Sequence, residues 1–449
     1  MRIFGRKRQK KCLLLSLDGF PCSLFEVIRE TKWMPFLSKM FQSKKPVVMT
    51  SVYPTVSCTA WATFATGCNP GNHRIFGFID RKLDPFSLTI PNRLHLGAET
   101  LWSILSERKI SVVVMNVPVT YPPECVNGVL VSGFLGVDLR KSVHPDWIYS
   151  ILKHHDYRID ANTALIAKNA SQEFLSDLVT TLSNRFTAFC DIITKVEWQY
   201  AHLHVMETDR LFHFFWKDIV SPELNDTEKY QKIKEFFMVL DDNIKNLFGI
   251  MKDNTEIIML SDHGFTESLY EVQVNTILRN NGFLESDRIY ETSVGTSPPV
   301  GKAYSLIPGR IFLNLKSREP KGSLSPADSE CVKKDIIELF TKLKQPNSNK
   351  FLFEAVVPRE IIYSGKYLTE AAELILLPAN GIEPKANFNA SIEVTGSAMS
   401  GAHTYNDAFL WSRSLNVVQE FPNLIDLFPS ILTFFQIQGI ETEGINIFE

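Results

Sequence analysis

The sequence predicts an α/β fold with a doubly wound, mostly parallel sheet flanked by helices and interrupted by an inserted α+β cap. Three observations carry this reading. Short apolar runs with β-branched content end abruptly in a polar residue or glycine, which is the pattern of buried central strands in a parallel sheet. Helical stretches separate these runs, and strands alternating with helices build a doubly wound architecture. One region breaks the alternation with clustered turn residues, as an insertion does.

The first apolar run, residues 12–17, stops at Asp18-Gly19. A basic arm precedes it (Arg2, Arg6, Lys7, Arg8, Lys10, Lys11), but the run is shorter than the ~7–15 apolar residues of a signal peptide. It reads as a first strand behind a solvated arm. A helix-like segment at 60–66 and a helix at 100–107 follow. Strands are expected at 111–116, before Val117-Pro118, and at 128–132, before Gly133. A helix at 173–194 leads to a strand at 201–206, which stops at Glu207. A helix at 226–251 then leads to a strand at 256–260, which stops at Ser261-Asp262. Residues 266–372 hold turn clusters at 296–299, 308–309, 320–322 and 346–347, an alternating strand at 309–315 and a helix at 329–344. They form the expected cap. The core is expected to resume with strands at 372–377 and 407–412 and a helix near 424–435. The catalytic core is therefore assigned to 1–265 and 373–449, and the cap to 266–372.

Bulk properties exclude several classes. In 449 residues, 45% are hydrophobic and 22% charged, which rules out disordered, collagen-like and coiled-coil chains. A net charge of −3 gives no electrostatic case for a nucleic-acid duplex or an anionic membrane. No segment reaches the ~18 apolar residues of a transmembrane helix. The cysteines number seven, an odd count without a CxxC pair, so reduced thiols and a cytoplasmic location are expected.

Chemistry concentrates where the strands end. Ligands of open α/β sheets bind beyond the carboxyl ends of the strands, and four segments with metal-ligand residue types fall there. They contain Asp18, Ser57, the pair Asp209 and His213, and the pair Asp262 and His263; a fifth, weaker segment contains His403. Asp209 and His213 are four apart, so one helical turn puts both on one face, as two ligands of one ion require. Asp262 and His263 are adjacent and meet one ion only at an irregular turn, which Gly264 permits. A carboxylate such as Asp18 at the end of a buried strand needs a cation or a helix N-terminus nearby. Ser57 stands where a helix begins, and such a terminus favours an anion.

In order, these motifs resemble the alkaline phosphatase superfamily, and within it the type I phosphodiesterase/nucleotide pyrophosphatase family. The likeness extends to residues 57–67, Asn69-Pro70-Gly71, 117–123, 132–134, 207–216 and Pro308-Gly309-Arg310-Ile311. The resemblance implies two divalent metal ions, zinc or else manganese. One would be held by Asp209, His213 and His403, the other by Asp18, Asp262 and His263 with the Ser57 oxygen. Ser57 would be the nucleophile and pass through a phosphoseryl intermediate. The implied substrate is a small-molecule phosphodiester or pyrophosphate, nucleotides included.

The chain departs from the pattern of its secreted members. Serine replaces their threonine nucleophile, and Phe78 occupies the place of an asparagine that holds a phosphate oxygen. Arg74 and Arg81 are the nearest cations to replace that amide, and an arginine fork would favour monoesters. Trp61 and Phe78, with Phe76 and Trp216, are candidates to line the leaving-group pocket. Sulfatases require proline and arginine two and four places after the nucleophile, whereas Ser57 is followed there by Thr59 and Trp61. A phosphomonoesterase, or a weakly catalytic binding member, is the alternative function.

Overall fold

The computed structural model describes residues 10–221, 228–285, 291–292, 295–296 and 298–449. Most of the basic arm, together with residues 226, 227 and 297 of the expected elements, lies outside them.

The core strands are β1 (Lys11–Leu17), β2 (Val47–Met49), β3 (Val112–Met115), β4 (Gly128–Val131), β5 (Val143–His144), β6 (Tyr200–Val205), β7 (Thr255–Leu260), β8 (Gly264–Glu267), β9 (Gly401–Thr404) and β10 (Ala408–Ser412). Eight of them form one sheet in the order β2-β10-β7-β1-β6-β3-β4-β5. The central five, β7 to β4, run parallel. β10, β2 and β5 are antiparallel to their neighbours at the two edges. In register, Leu14 faces His202 on one side and Ile258 on the other.

Side chains alternate across a strand, and β1 uses both faces. Leu13, Leu15 and Leu17 join one core with α2 (Ser171–Lys195), α3 (Glu207–Val220) and α4 (Glu228–Gly249). Cys12 and Leu14 join a second core with α1 (Ser57–Thr66) and α5 (Leu427–Phe434). Both faces of the sheet are thus covered, and each buried aliphatic or aromatic side chain contributes roughly 1.5–3 kcal/mol. This is the arrangement the alternating runs predict.

The chain between β8 and β9 departs from expectation in extent. Leu374–Pro378 does not return to the main sheet. It pairs with Arg310–Leu313 and Phe353–Pro358 in a four-stranded sheet that also holds Ala303–Leu306. Ile382–Lys385 and Val394–Gly396 flank Tyr270–Gln273 in a further three-stranded sheet. An apolar run of this length fits either sheet, and periodicity alone could not assign it. Arg310–Leu313 is buried throughout rather than on alternate residues. The inserted chain has its own apolar cluster around Tyr304, Phe312, Phe340 and Leu374.

Candidate active site

Three parallel neighbours, β7, β1 and β6, end side by side, and the chain beyond each supplies acidic or imidazole groups. Asp18 follows β1, and its N–H donates to the Val205 carbonyl at the end of β6 (2.9 Å). Asp262 and His263 follow β7. β6 turns into α3, which carries Asp209 in its first turn and His213 one turn later. His403 arrives differently: β9 pairs antiparallel with β8, setting His403 opposite Phe265. Gly19 closes the turn after Asp18 with a φ of +66°, and its N–H donates to Asp262 Oδ1 (3.1 Å). A Cβ there would meet the Phe265 ring at 2.5 Å and His263 at 3.0 Å.

Two overlapping groups result. In the first, His403 Nε2 is 3.2 Å from Asp209 Oδ1 and 3.0 Å from His213 Nε2, and His213 Nε2 is 3.3 Å from Asp209 Oδ1. In the second, His263 Nε2 is 3.5 Å from Asp18 Oδ1 and 3.4 Å from Asp262 Oδ2. His263 belongs to both groups: its ligand atom lies within 4.8 Å of those of Asp209 and His403, and likewise of those of Asp18 and Asp262. Its ring stacks on that of His403 at 3.7 Å. The six ligands expected from the sequence are therefore brought together.

The imidazoles share one orientation. Nδ1 of His213, His263 and His403 faces the carbonyls of Gly401, Gly264 and Thr55 at 3.2, 3.1 and 2.9 Å. A carbonyl only accepts, so each Nδ1 carries a proton, and Nε2 is the ring atom that each histidine turns to the cluster. Burial alone would raise Asp209, but His213 and His403 beside it hold its carboxyl well below the usual range. Burial and the neighbouring Asp18 push Asp262 well above it. Burial and His403 lower His263 to about 3, which keeps it neutral.

The donor set fits divalent cations. Asp18 and Asp262 are fully buried, and among the described residues neither pairs with lysine or arginine. Asp262 Oδ2 accepts no hydrogen bond there. Buried carboxylates without a counter-charge cost several kcal/mol, which a bound cation removes. Three carboxylates, three imidazoles and no thiolate suit zinc or manganese.

Ser57 is the first residue of α1, and its Oγ donates to Asp18 Oδ1 (3.1 Å) while lying 3.5 Å from His263 Nε2. It is not the N-cap. That place is taken by Val56, which offers no side-chain acceptor, so the first-turn N–H groups are left without a cap and favour an anion beside the hydroxyl. A cavity of about 350 Å³ opens in front of Ser57, Asp209, His213 and His403. The inserted chain supplies its far wall through Ile307, Leu376 and Lys385 among others.

The expected substrate-binding residues scatter. Phe78 does line the cavity and stacks on Phe134 at 5.6 Å. Trp61 does not: it is fully buried, and its Nε1–H donates to Asp18 Oδ2 (3.1 Å), so it holds the carboxylate in place. Arg74 points away from the cavity into an ion pair with Glu370 (2.7 Å). Arg81 is buried against Glu319 (2.9 Å) and the Phe312 ring. Phe76 packs in the core of the inserted chain and Trp216 in that of the main sheet.

Sequence reasoning missed three residues. Arg210 lines the cavity; its place directly after Asp209 was the available signal. Thr208 Oγ1 donates to the Asp18 carbonyl (2.7 Å). His204, fully buried in β6, sets Nε2 3.1 Å from Asp18 Oδ2. Polar residues at 202 and 204 inside an apolar strand carried a trace of that role.

The family model for type I phosphodiesterase / nucleotide pyrophosphatase matches residues 12–406, close to nine-tenths of the chain and every motif of the site. The chain belongs to this family. Among solved structures, this family member is similar to phosphonoacetate hydrolase from Sinorhizobium meliloti 1021. The likeness is to its complexes with phosphonoacetate (13% identity) and phosphonoformate (14%), each at a TM-score of 0.63 with 95% of both chains covered. At that identity the likeness concerns the fold, which is that of the alkaline phosphatase superfamily. No curated protein matches the chain. The family is one of metal-dependent phosphoester hydrolases, and both candidate ligand groups lie within the matched span.

Proposed function

We propose that this family member hydrolyses phosphodiester or pyrophosphate bonds of small, nucleotide-type substrates, with Ser57 as nucleophile and two divalent ions, zinc or manganese. The observation that carries the reading is the meeting at Ser57 of three features: an uncapped helix N-terminus, the group Asp209, His213 and His403 on the same cavity wall, and the buried group Asp18, Asp262 and His263, two of whose members contact the Ser57 hydroxyl. When bound, two dications would neutralise the buried carboxylates and the phosphoryl charge and favour the alkoxide form of the serine. Asp209, His213 and His403 would hold one, and Asp18, Asp262 and His263 the other.

The chain's own groups account for the remainder. Ser57 Oγ–H already donates to Asp18 Oδ1, and the proton it loses on attack leaves with the departing oxygen. Attack by this oxygen forms the Oγ–P bond as the bond from phosphorus to the leaving oxygen breaks, and gives a phosphoseryl intermediate. Water then attacks phosphorus, releasing the phosphate product and restoring the hydroxyl. The first-turn N–H groups of α1 are placed to hold a nonbridging oxygen throughout. Phe78, Phe134 and Ile307 give the leaving group an apolar wall. All seven cysteines are unpaired, which supports a reducing compartment such as the cytoplasm.

The test is a metal-loaded preparation assayed with bis(p-nitrophenyl) phosphate, p-nitrophenyl phosphate and a dinucleotide. The diesters should turn over faster, and Ser57→Ala should abolish turnover while retaining metal. Full activity in that variant would refute the serine mechanism, and faster monoester cleavage would favour a phosphomonoesterase.

A further inference from the structure

Arg210 is a cation of the cavity wall, like Lys385, with no part in the chemistry assigned to Ser57. It follows Asp209 on α3, lines the cavity and is 15% exposed. Its guanidinium is fixed from three sides. Nε and Nη2 donate to Asp160 Oδ1 and Oδ2 at 3.2 and 2.7 Å, and Nη1 donates to Asp209 Oδ2 at 3.2 Å. The Phe134 ring lies 4.8 Å from its central carbon and is itself stacked on Phe78.

A guanidinium carries five N–H donors. These bonds use three, so one N–H on Nη1 and one on Nη2 have no acceptor among the described residues. Orienting Asp209 alone would need only Nη1. The carboxylate of Asp160 and the aromatic pair do something further: they spend charge and packing on holding a desolvated, rotationally locked fork at the wall that Ser57 shares. Two N–H donors held on one fixed guanidinium suit oxygens of one tetrahedral anion. The link to the ligand cluster is short, since Asp209 gives Oδ2 to Arg210 and Oδ1 to the two histidines.

We propose that Arg210 binds nonbridging oxygens of the phosphoryl group under attack by Ser57, held ready by Asp160 and by Phe134 on Phe78. Phe78 then acts as the floor of an arginine site. The proposal rests on the reading of Ser57 and its two ligand groups given above.

The experiment compares wild type, Arg210→Ala and Arg210→Lys, all metal-loaded, by calorimetric binding of inorganic phosphate, by metal content and by turnover of bis(p-nitrophenyl) phosphate. Arg210→Ala should keep its metal and its melting temperature. It should bind phosphate at least ten-fold more weakly and lose about 10²–10³ in kcat/KM, the usual cost of one transition-state donor. Arg210→Lys should recover only part of this, and millimolar guanidinium should partly rescue the alanine variant. Unchanged phosphate affinity in Arg210→Ala would overturn the proposal. So would a loss explained by missing metal, because Arg210 would then only orient Asp209. If wild type itself bound no divalent metal and cleaved no ester, the functional reading would fail instead.

Discussion

Three histidines in the site share one device: a backbone carbonyl accepts a hydrogen bond from Nδ1, and Nε2 is turned to the cluster. His73 shows the contrasting solution. It is fully buried; Ile75 N–H donates to its Nδ1 (3.1 Å) and its Nε2 meets Thr63 Oγ1 (2.9 Å), so both nitrogens are engaged and it serves packing. Burial lowers its pKa to about 3, against a smaller opposing effect of its own backbone hydrogen bond. In the unfolded chain the imidazole titrates near its ordinary ~6.5. As pH falls below that value the unfolded state takes up a proton that the native state refuses, so stability is lost progressively down to about pH 3. His73→Gln should lower stability at pH 7 yet flatten the decline between pH 6.5 and 4.5, read as urea midpoints at each pH. An equal decline in both proteins would contradict this. The acidic and imidazole residues that meet in the site were legible because their types and spacing are chemically narrow. Trp61 and Arg74 were not. An aromatic or cationic residue near a motif says nothing about its direction, and here Trp61 reaches a ligand from inside while Arg74 turns to Glu370.

The same limit recurs at the level of elements. Strand ends were readable because a buried carboxylate must stop an apolar run: β1 and β7 end where expected, and β6 one residue earlier, at Val205. Pairing was not readable. The β8–β9 ribbon that delivers His403 joins segments more than 130 residues apart, and Leu374–Pro378 was drawn to the wrong sheet by its apolar character alone. The start of α3 depends on a further long-range contact. Glu207, its first residue, is fully buried and receives Nε and Nη2 of Arg185 from α2 at 2.9 and 2.6 Å. Arg185 Nη1 also donates to Tyr157 Oη (3.1 Å), whose own hydroxyl donates to Asn116 Oδ1 (2.8 Å). Arg185→Met leaves Glu207 charged and dry two residues ahead of Asp209. It should cost about 3–5 kcal/mol in denaturant unfolding and weaken metal retention. Arg185→Met/Glu207→Leu should restore most of the stability, and failure of that double variant to recover would remove the ion pair as the cause.

At the scale of the molecule, the ligand groups draw on β1, α1, α3, the turn after β7 and β9, so they sample most of the main fold. Cations binding there select the folded state, by about 4 kcal/mol at a concentration 1,000 times Kd. Chelation should therefore lower the melting temperature, and zinc or manganese should restore it; an unchanged melting curve would mean that no ion bridges these elements. The inserted chain takes part in the cavity while contributing none of the six clustered acidic and imidazole residues, since His403 lies on β9, just past its end. Its two ends are themselves neighbours: Glu267, where it departs, sits opposite Gly401, where it returns, as one rung of the β8–β9 ladder. Entry and exit through a single rung make this segment a cassette. Exchange for another segment that is spliced at that rung and still covers Phe76 would keep the register of His403, so a lineage could change what it cleaves without rebuilding how it cleaves.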